Sequence, residues 1–316
     1  MAVLAGPALS RSDAPLASST VHASQRRAGL ALTTPATLLL VILLLGPAAM
    51  VLVLSFTNAS LGLGGMKFIG LGNYARMLAD PGFAISLRNT ALYVAIVVPA
   101  SIGLGLAAAI LIERISLFGS FYRAAYFLPV AATLVALSTA WEAILHPSFG
   151  LANMVLGLSG IAPIRFLSDP ATALYTLAGI GIWQLVGFNM ILFLAGLSSI
   201  PEELYEAAAI DGADRGLKRF LLVTWPMLAP VTLFATVMTI IRGFSVFETV
   251  VVLTEGGPMR STNVILYTFY EEGFRYFRAG YASAIAVSFF LFVTVLSLLQ
   301  MRLAEPRRTR EGGAAS

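Results

Sequence analysis

The sequence predicts an all-α protein, a polytopic membrane helical bundle with six transmembrane helices and one hydrophilic elbow. Three observations carry that expectation. The chain is 58% hydrophobic and only 11% charged, against a charged share of about a quarter in soluble domains. Its apolar residues gather into six stretches that meet the length of about 20 residues a spanning helix needs. Between the fourth and fifth stretches stands a polar insertion with helix-start and helix-stop signals of its own. By length alone 316 residues could hold one or two soluble domains. The apolar runs are too long and too evenly spaced for that.

The first span is expected at Leu32–Phe56, after an Ala/Ser-rich tail (residues 1-30) that carries Arg11, Arg26 and Arg27. A cleavable signal peptide is the rival reading. The apolar run is too long for an h-region and lacks a convincing cleavage site, so a retained span is favoured. An outer loop with Gly62, Gly64 and Gly65 reads as flexible. The second span, Thr90–Ile112, is crowded with small residues from Ser101 to Ala109, as close helix packing in lipid requires. The third is Ala124–Leu145, with Glu142 near its outer end, and the fourth is Ala171–Leu197. The fifth, Leu228–Leu253, ends in Thr254-Glu255-Gly256-Gly257-Pro258, a stop signal followed by a tight turn. The sixth is Tyr281–Leu303. A membrane domain thus covers 31-304, and residues 305-316 form a second tail.

Lys and Arg set the orientation. With both termini in the cytoplasm, the inner segments hold twelve of the twenty basic residues and the outer segments seven, and Arg242 lies within the fifth span. The chain is therefore expected to cross a membrane several times, in contact with lipid, with both termini and the elbow on the cytoplasmic side. The net charge of +4 is spread out. No basic patch interleaved with aromatics exists for nucleic acid. Cysteine is absent, which excludes disulfides and thiolate sites, and His22 and His146 are the only histidines, one in a tail and one beside Pro147, which argues against a histidine-based metal or catalytic centre.

The elbow, 198-226, is the most structured of the polar segments. Ser199-Ile200-Pro201-Glu202 has the spacing of a capping box, with Pro201 in the first turn. Leu204, Ala207 and Ala208 then fall on one small apolar face beside Glu206. Asp211-Gly212 breaks the helix, because Gly passes freely through positive φ. Asp214 is placed to cap a second helix running to Pro226. Five acids and three bases give the elbow a net charge of −2 between basic tails, which suits a partner groove of opposite sign.

Glu206-Ala207-Ala208, Asp211-Gly212-Ala213, Phe220 and Val223-Thr224-Trp225-Pro226 resemble the EAA loop of permease subunits from binding-protein-dependent ABC importers. Trp183, Gly187-Phe188-Asn189-Met190, Leu253-Thr254-Glu255-Gly256-Gly257-Pro258 and Gly280-Tyr281-Ala282-Ser283-Ala284 are similar to the carbohydrate branch, related to maltose and glycerol-phosphate importers. The likeness runs from Phe68-Ile69-Gly70-Leu71-Gly72-Asn73-Tyr74 to the last span. One departure is a Gly212-to-Phe220 spacing one residue longer than usual, placed at Gly216. The resemblance implies that the elbow is a coupling helix docking on a separate ATP-hydrolysing subunit. Glu206, Ala207, Ala208, Asp211 and Gly212 are then its coupling residues. It implies a second permease subunit as a heterodimer partner, two ATP-binding subunits and an extracytoplasmic solute-binding protein.

No G-x-x-x-x-G-K-[ST] occurs, so the usual nucleotide cradle is missing. The chain is read as a non-enzyme without a cofactor of its own, and ATP and Mg belong to the partner. Ionisable and amide groups within spans point to interior sites. Arg242, Ser245 and Thr249 recur at helix spacing on one side of the fifth span, with Glu248 about 100° or more away. Gln184 and Asn189 add amides to the fourth, beside Trp183 and Phe188. Planar hydrogen-bonding groups and aromatic faces suit a sugar or related polyhydroxylated solute. Arg242 either lines the solute path or pairs with a carboxylate to fix two helices. A secondary ion-coupled transporter and a non-transporting membrane anchor for an ATPase are the alternatives. The first should show inverted repeats and broken helices, and the second has no use for polar groups within the spans.

Overall fold

In a computed structural model, residues 17–62, 65–113, 119–213 and 215–304 are described. Every regular element among them is helical, and the one β contact is an isolated antiparallel bridge between Thr57 and Phe68. The chain divides into two compact units at Val53/Leu54.

The first unit contains α1 (Ala17–Leu40), a π turn (Val41–Leu45) and the start of α2 (Gly46–Leu54). Residues 29–54 are long and apolar enough to cross a membrane. The helix reaches back into the segment expected as a tail. The π turn sits just ahead of Pro47, with the Gly46 N–H bonding the Val41 carbonyl. Proline supplies no N–H and its ring crowds the carbonyl four residues back, so a widened turn lets the helix continue past it.

The second unit opens with α3 (Gly72–Ala79) and α4 (Pro81–Glu113), the latter beginning nine residues before the expected second span. Asn73 is buried and donates to the Ser55 and Thr57 carbonyls, and the Tyr74 hydroxyl donates to Ser55 Oγ. The Phe68-to-Tyr74 signature thus straps α3 to the chain just after the first span. The third span is not the continuous helix expected over Ala124–Leu145. It is a pair, α5 (Gly119–Ala131) and α6 (Leu134–Ile144), bent by 100°. Pro129 lies near the end of α5, and Thr133 is already extended (φ −69°, ψ 133°). Helix hydropathy alone carries no signal for such a bend.

Helix α7 (Leu151–Leu158) precedes α8 (Ala173–Ser198), the fourth span and the hub of the bundle. Three of its glycines admit close neighbours. Gly181 faces the Tyr93 hydroxyl of α4, Gly187 the Tyr126 carbonyl of α5, and Gly196 lies against Leu228 and Val231 of the fifth span. From α4, Gly105 faces Asn189: a methyl at Gly105 would stand 2.6 Å from Asn189 Cβ. Without a hydrophobic drive between helices in lipid, such approaches are what van der Waals association needs. The small residues of the second span act here as packing, as expected.

The elbow contains α9 (Glu202–Ile210) and α10 (Gly216–Arg219). A π turn (Phe220–Thr224) leads from α10 directly into α11 (Trp225–Phe244). The expected end at Pro226 is therefore overturned, and the reason matches the first unit: the π turn again precedes a proline, with Trp225 N–H bonding the Phe220 carbonyl. The fifth span, expected as one helix, stops at Phe244 and resumes as α12 (Glu248–Leu253) after a non-helical Phe247 (φ −148°, ψ −56°). Helix α13 (Ile265–Tyr270), a third π turn (Glu271–Arg275) and α14 (Ala279–Ala304), the sixth span, complete the unit.

Three apolar cores lie among the described residues of this unit, one of them joining Met77, Ile265, Tyr281 and Ile285, and the other two packing along α8. One of these two joins Tyr93, Val97, Leu177, Leu185, Val250 and Tyr267. The other joins Ala109, Met190, Phe193, Leu197 and Leu228. Along α8 they meet at Asn189, where the interior turns polar.

Candidate functional site

A pocket of about 210 Å³ lies among α4, α6, α8 and the broken fifth span. Gln184, Arg242, Ser245, Glu248 and Thr249 line it, with Tyr93 and Phe247. Four of the five expected path residues are thus gathered in one place. The break after Phe244 does this: it ends the helix beyond Arg242 and re-aims the next turn, so Glu248 joins the lining instead of pointing away. Helix spacing over an unbroken span could not foresee that. Thr249 is buried, whereas Arg242, Ser245 and Glu248 are exposed on the open side. The Arg242 guanidinium lies 4.4 Å from the centre of the Phe188 ring, a cation–π contact that keeps it extended along α8. Among the described residues no carboxylate forms an ion pair with Arg242. Trp183 meets Trp141 edge-on at 5.4 Å.

Asn189 is not among the residues that line this pocket. It is fully buried, accepts from Thr239 Oγ1 at 2.9 Å and reaches Ser101 Oγ at 3.4 Å. One amide therefore joins α8 to both α11 and α4. Tyr93, Phe247 and Glu248 are among the lining residues that the sequence reading did not include as path residues. The signal for Glu248 was an acid inside an apolar run, and Tyr93 offered none.

At the elbow, α9 ends as expected through Gly212 at φ +74°. The Gly212 and Ala213 N–H groups bond the Ala209 and Ala208 carbonyls, the paired bonds of a Schellman ending. Its start differs from expectation. Pro201 is the N-cap residue, and Ser199 instead ends α8, donating its hydroxyl to the Gly196 carbonyl. Ile200 and Pro201 separate Ser199 from the first turn of α9, and its hydroxyl is engaged by the preceding helix. Glu202 and Glu203 occupy the first turn, where the helix dipole favours acids. Glu206 and Ala207 are exposed, Ala208 is half-buried, and Asp211 is the exposed C-cap residue. Asp214 lies outside the described residues. Gly216 has φ +68°, so the residue behind the longer spacing stands in a conformation suited to Gly.

A third polar region lies between α3, the start of α4 and the loops after α12. A cleft of about 640 Å³ there is lined by Arg76, Asp80, Arg260, Glu271, Glu272 and Arg278, among others. Glu272 takes Arg278 at 3.0 Å and Arg76 at 4.0 Å, and the Tyr281 hydroxyl donates to Asp80 at 2.7 Å. Burial alone would raise the Asp80 carboxyl. Hydrogen bonds from Tyr281 and from the Gly82 and Phe83 backbones, with nearby Arg76, outweigh it and hold the group below its usual range. Helix α12 ends at Leu253 as expected, and Glu255, Met259 and Arg260 all stand at positive φ.

Among the described residues no group of His, Cys, Asp and Glu could hold a metal ion. Residues 101–310 match the family described as the binding-protein-dependent transport system inner membrane component. A probable ABC transporter permease protein of Bacillus subtilis, YurN, is 34% identical over 74% of this chain and 82% of its own. The sn-glycerol-3-phosphate transport system permease protein UgpA of Agrobacterium fabrum is 32% identical over 87% of this chain and 94% of its own. The trehalose/maltose transport system permease protein MalF of Thermococcus litoralis is 32% identical over 76% and 81%. A solved bacterial ABC transporter involved in the import of the acidic polysaccharide alginate has a chain of the same fold, with TM-score 0.80 and 21% identity over 92% of this chain and all of its own. The long apolar helices, the order of motifs and these matches agree: the chain belongs to the family of multi-pass inner-membrane permease components of binding-protein-dependent ABC transport systems.

Proposed function

We propose that this permease forms half of a pore that imports a sugar or related polyhydroxylated solute, and that it performs no chemistry itself. A second, related permease completes the pore, two ATPase subunits bind the cytoplasmic elbows, and an extracytoplasmic binding protein delivers the solute at the outer loops. Both termini lie in the cytoplasm. The observation that carries the solute assignment is the pocket of Gln184, Arg242, Ser245, Glu248 and Thr249 within the spans. Amide, guanidinium, hydroxyl and carboxylate groups together match the donors and acceptors of a polyol, and an aromatic ring backs the cation. The relatives named for glycerol phosphate and for trehalose and maltose support the same class.

On the elbow, Glu206 presents its carboxylate to a basic groove on the ATPase, and Ala207 and Ala208 let the helix sit deep in it. Asp211 and Gly212 set the turn. Two broken spans would also fit an ion-coupled transporter, but membership of a family of binding-protein-dependent systems argues for ATP as the driving force. The test is assembly and uptake. The complex is purified with its ATPase and binding protein, and the solute is identified by mass spectrometry of the loaded binding protein. Arg242→Gln should leave the ATPase bound and change uptake of that solute. Unchanged uptake with normal assembly would remove Arg242 from the path. Glu206→Lys should release the ATPase, and wild-type co-purification would remove the elbow from docking.

A further inference from the structure

The elbow helix presents two faces, and the one turned away from Glu206 is built. Tyr205 is half-buried against the core of Met190, Phe193 and Leu197. The Arg219 guanidinium lies 4.3 Å from the centre of its ring. Its hydroxyl and Thr224 Oγ1 are 3.3 Å apart, and Thr224 is buried in the π turn that opens the fifth span. Lys218 Nζ adds a bond to the Gly212 carbonyl at the elbow's turn. The two arms of the elbow are thereby tied together at three points, all on the fifth-span side. A π turn within a long helix is a place where helices yield, and Pro226 beside it removes a backbone bond. Without a brace, a push on α9 would be absorbed there.

We propose that Tyr205 is a positioning residue that locks α9 to the π turn at the root of the fifth span. Its clasp with Arg219 and Thr224 makes elbow and span one lever, so that displacement of the elbow reaches the break at Ser245–Phe247 and the pocket. This rests on the elbow being the ATPase-docking element, and the experiment separates the two. The full transporter, with second permease, ATPases and binding protein, is reconstituted in nanodiscs and cycled with ATP plus vanadate. The chain has no cysteine, so spin labels at Ile210→Cys and Phe234→Cys, both exposed, report elbow against span. A separate Ser245→Cys reports the pocket through its labelling rate.

With the clasp intact, the spin–spin distance stays narrow and unshifted by nucleotide, while Ser245→Cys labelling changes several-fold. Tyr205→Leu and Arg219→Gln should broaden the distance and abolish most of the labelling response, with the ATPase still co-purifying. Tyr205→Phe and Thr224→Val, which keep shape, should give an intermediate loss, and the double variant should be no worse than either alone. Arg219→Lys should restore the response by keeping a cation over the ring. A narrow distance and a wild-type labelling response in Tyr205→Leu would overturn the proposal. So would loss of the ATPase in the Tyr205 variants, since Tyr205 would then be a docking contact. Retention of the ATPase by Glu206→Lys would sink the docking reading alone, because the distance without nucleotide still reads the clasp.

Discussion

Asn189 separates two jobs that a buried amide can do in a permease, and a double-mutant cycle with Thr239 decides between them. The structure gives Asn189 no place in the pocket and full burial, with Thr239 Oγ1 at 2.9 Å and Ser101 Oγ at 3.4 Å. Thr239→Val keeps the shape of the side chain and removes the donor. It should cost about 1–3 kcal/mol, because the buried Asn189 Oδ1 loses its partner while the contact with Ser101 uses the Nδ2 group. Asn189→Ala loses the same bond and the packing of a fully buried side chain, which together should cost about 2–4 kcal/mol. Pairwise hydrogen-bond terms between membrane helices average about 0.6 kcal/mol with a ceiling near 1.7. The coupling energy should therefore fall between those two figures, and the double variant should cost less than the two singles summed. Equilibrium unfolding in bicelles, with solute uptake measured on the same variants, provides both readouts. Additive losses would remove the interhelical bond. A stable Asn189→Ala with changed solute preference would return Asn189 to the path.

Three further outcomes follow from the same geometry. Gly105→Ala places a methyl 2.6 Å from Asn189 Cβ and 3.1 Å from the Met190 amide nitrogen, so α4 and α8 must part and stability should fall by about 1–3 kcal/mol; a wild-type unfolding midpoint would refute the close crossing. Gly212→Val forces a β-branched residue to φ +74° and should cost about 1–3 kcal/mol of local strain, read as faster proteolysis at the elbow with the spans unaffected. For Asp80, whose folded carboxyl titrates below its usual range, the stabilisation is complete above about pH 4 and is lost as pH falls through the lowered folded value. Asp80→Asn should flatten that acid limb of the unfolding profile while leaving the neutral-pH salt dependence to Glu272 and its arginines.

The spans were legible because a spanning helix leaves a signature of length and polarity that nothing else imitates. Most limits fell close to the structure: residues 29–54 against Leu32–Phe56, Ala173–Ser198 against Ala171–Leu197, Ala279–Ala304 against Tyr281–Leu303, and single ends at Glu113, Ile144 and Leu253. The breaks were not legible. The two helices that meet across Ala131 to Leu134 are together apolar enough for a span, and Ser245 and Glu248 read as polar residues on a helix face, not as a break. Proline was a partial guide in both directions. It stands just after two of the three π turns among the described residues, yet Pro226 did not end its helix, because a π turn absorbs the mismatch and lets the chain run on. Gly212 was legible from type alone, since only positive φ closes that turn comfortably. Ser199 was misread because a capping box is a spacing, and the end of the preceding helix claimed the same hydroxyl.

The polar residues of the spans divide by what surrounds them and not by what they are. Asn189 and Thr239 are each fully buried, and they hydrogen-bond to each other. Such a pair has no free valence for a passing solute. Arg242, Ser245 and Glu248 sit about the break of the fifth span, which leaves them exposed, and the half-buried Gln184 of α8 lines the same pocket. Arg242 shows why the break matters. A guanidinium left in lipid costs several kcal/mol by most estimates, and its contact with Phe188 offsets only about 0.5–2 kcal/mol of that. The remainder must come from water or from a partner across the open side. In the pore of two permeases proposed above, that side is the one assigned to the other subunit. The same charge that makes the isolated chain costly in a bilayer therefore favours an assembled, hydrated pore, and Arg242→Gln should relax the requirement for the second subunit in membrane insertion assays. If the variant depends on that subunit as strongly as the wild type does, the open side is not where Arg242 finds its compensation.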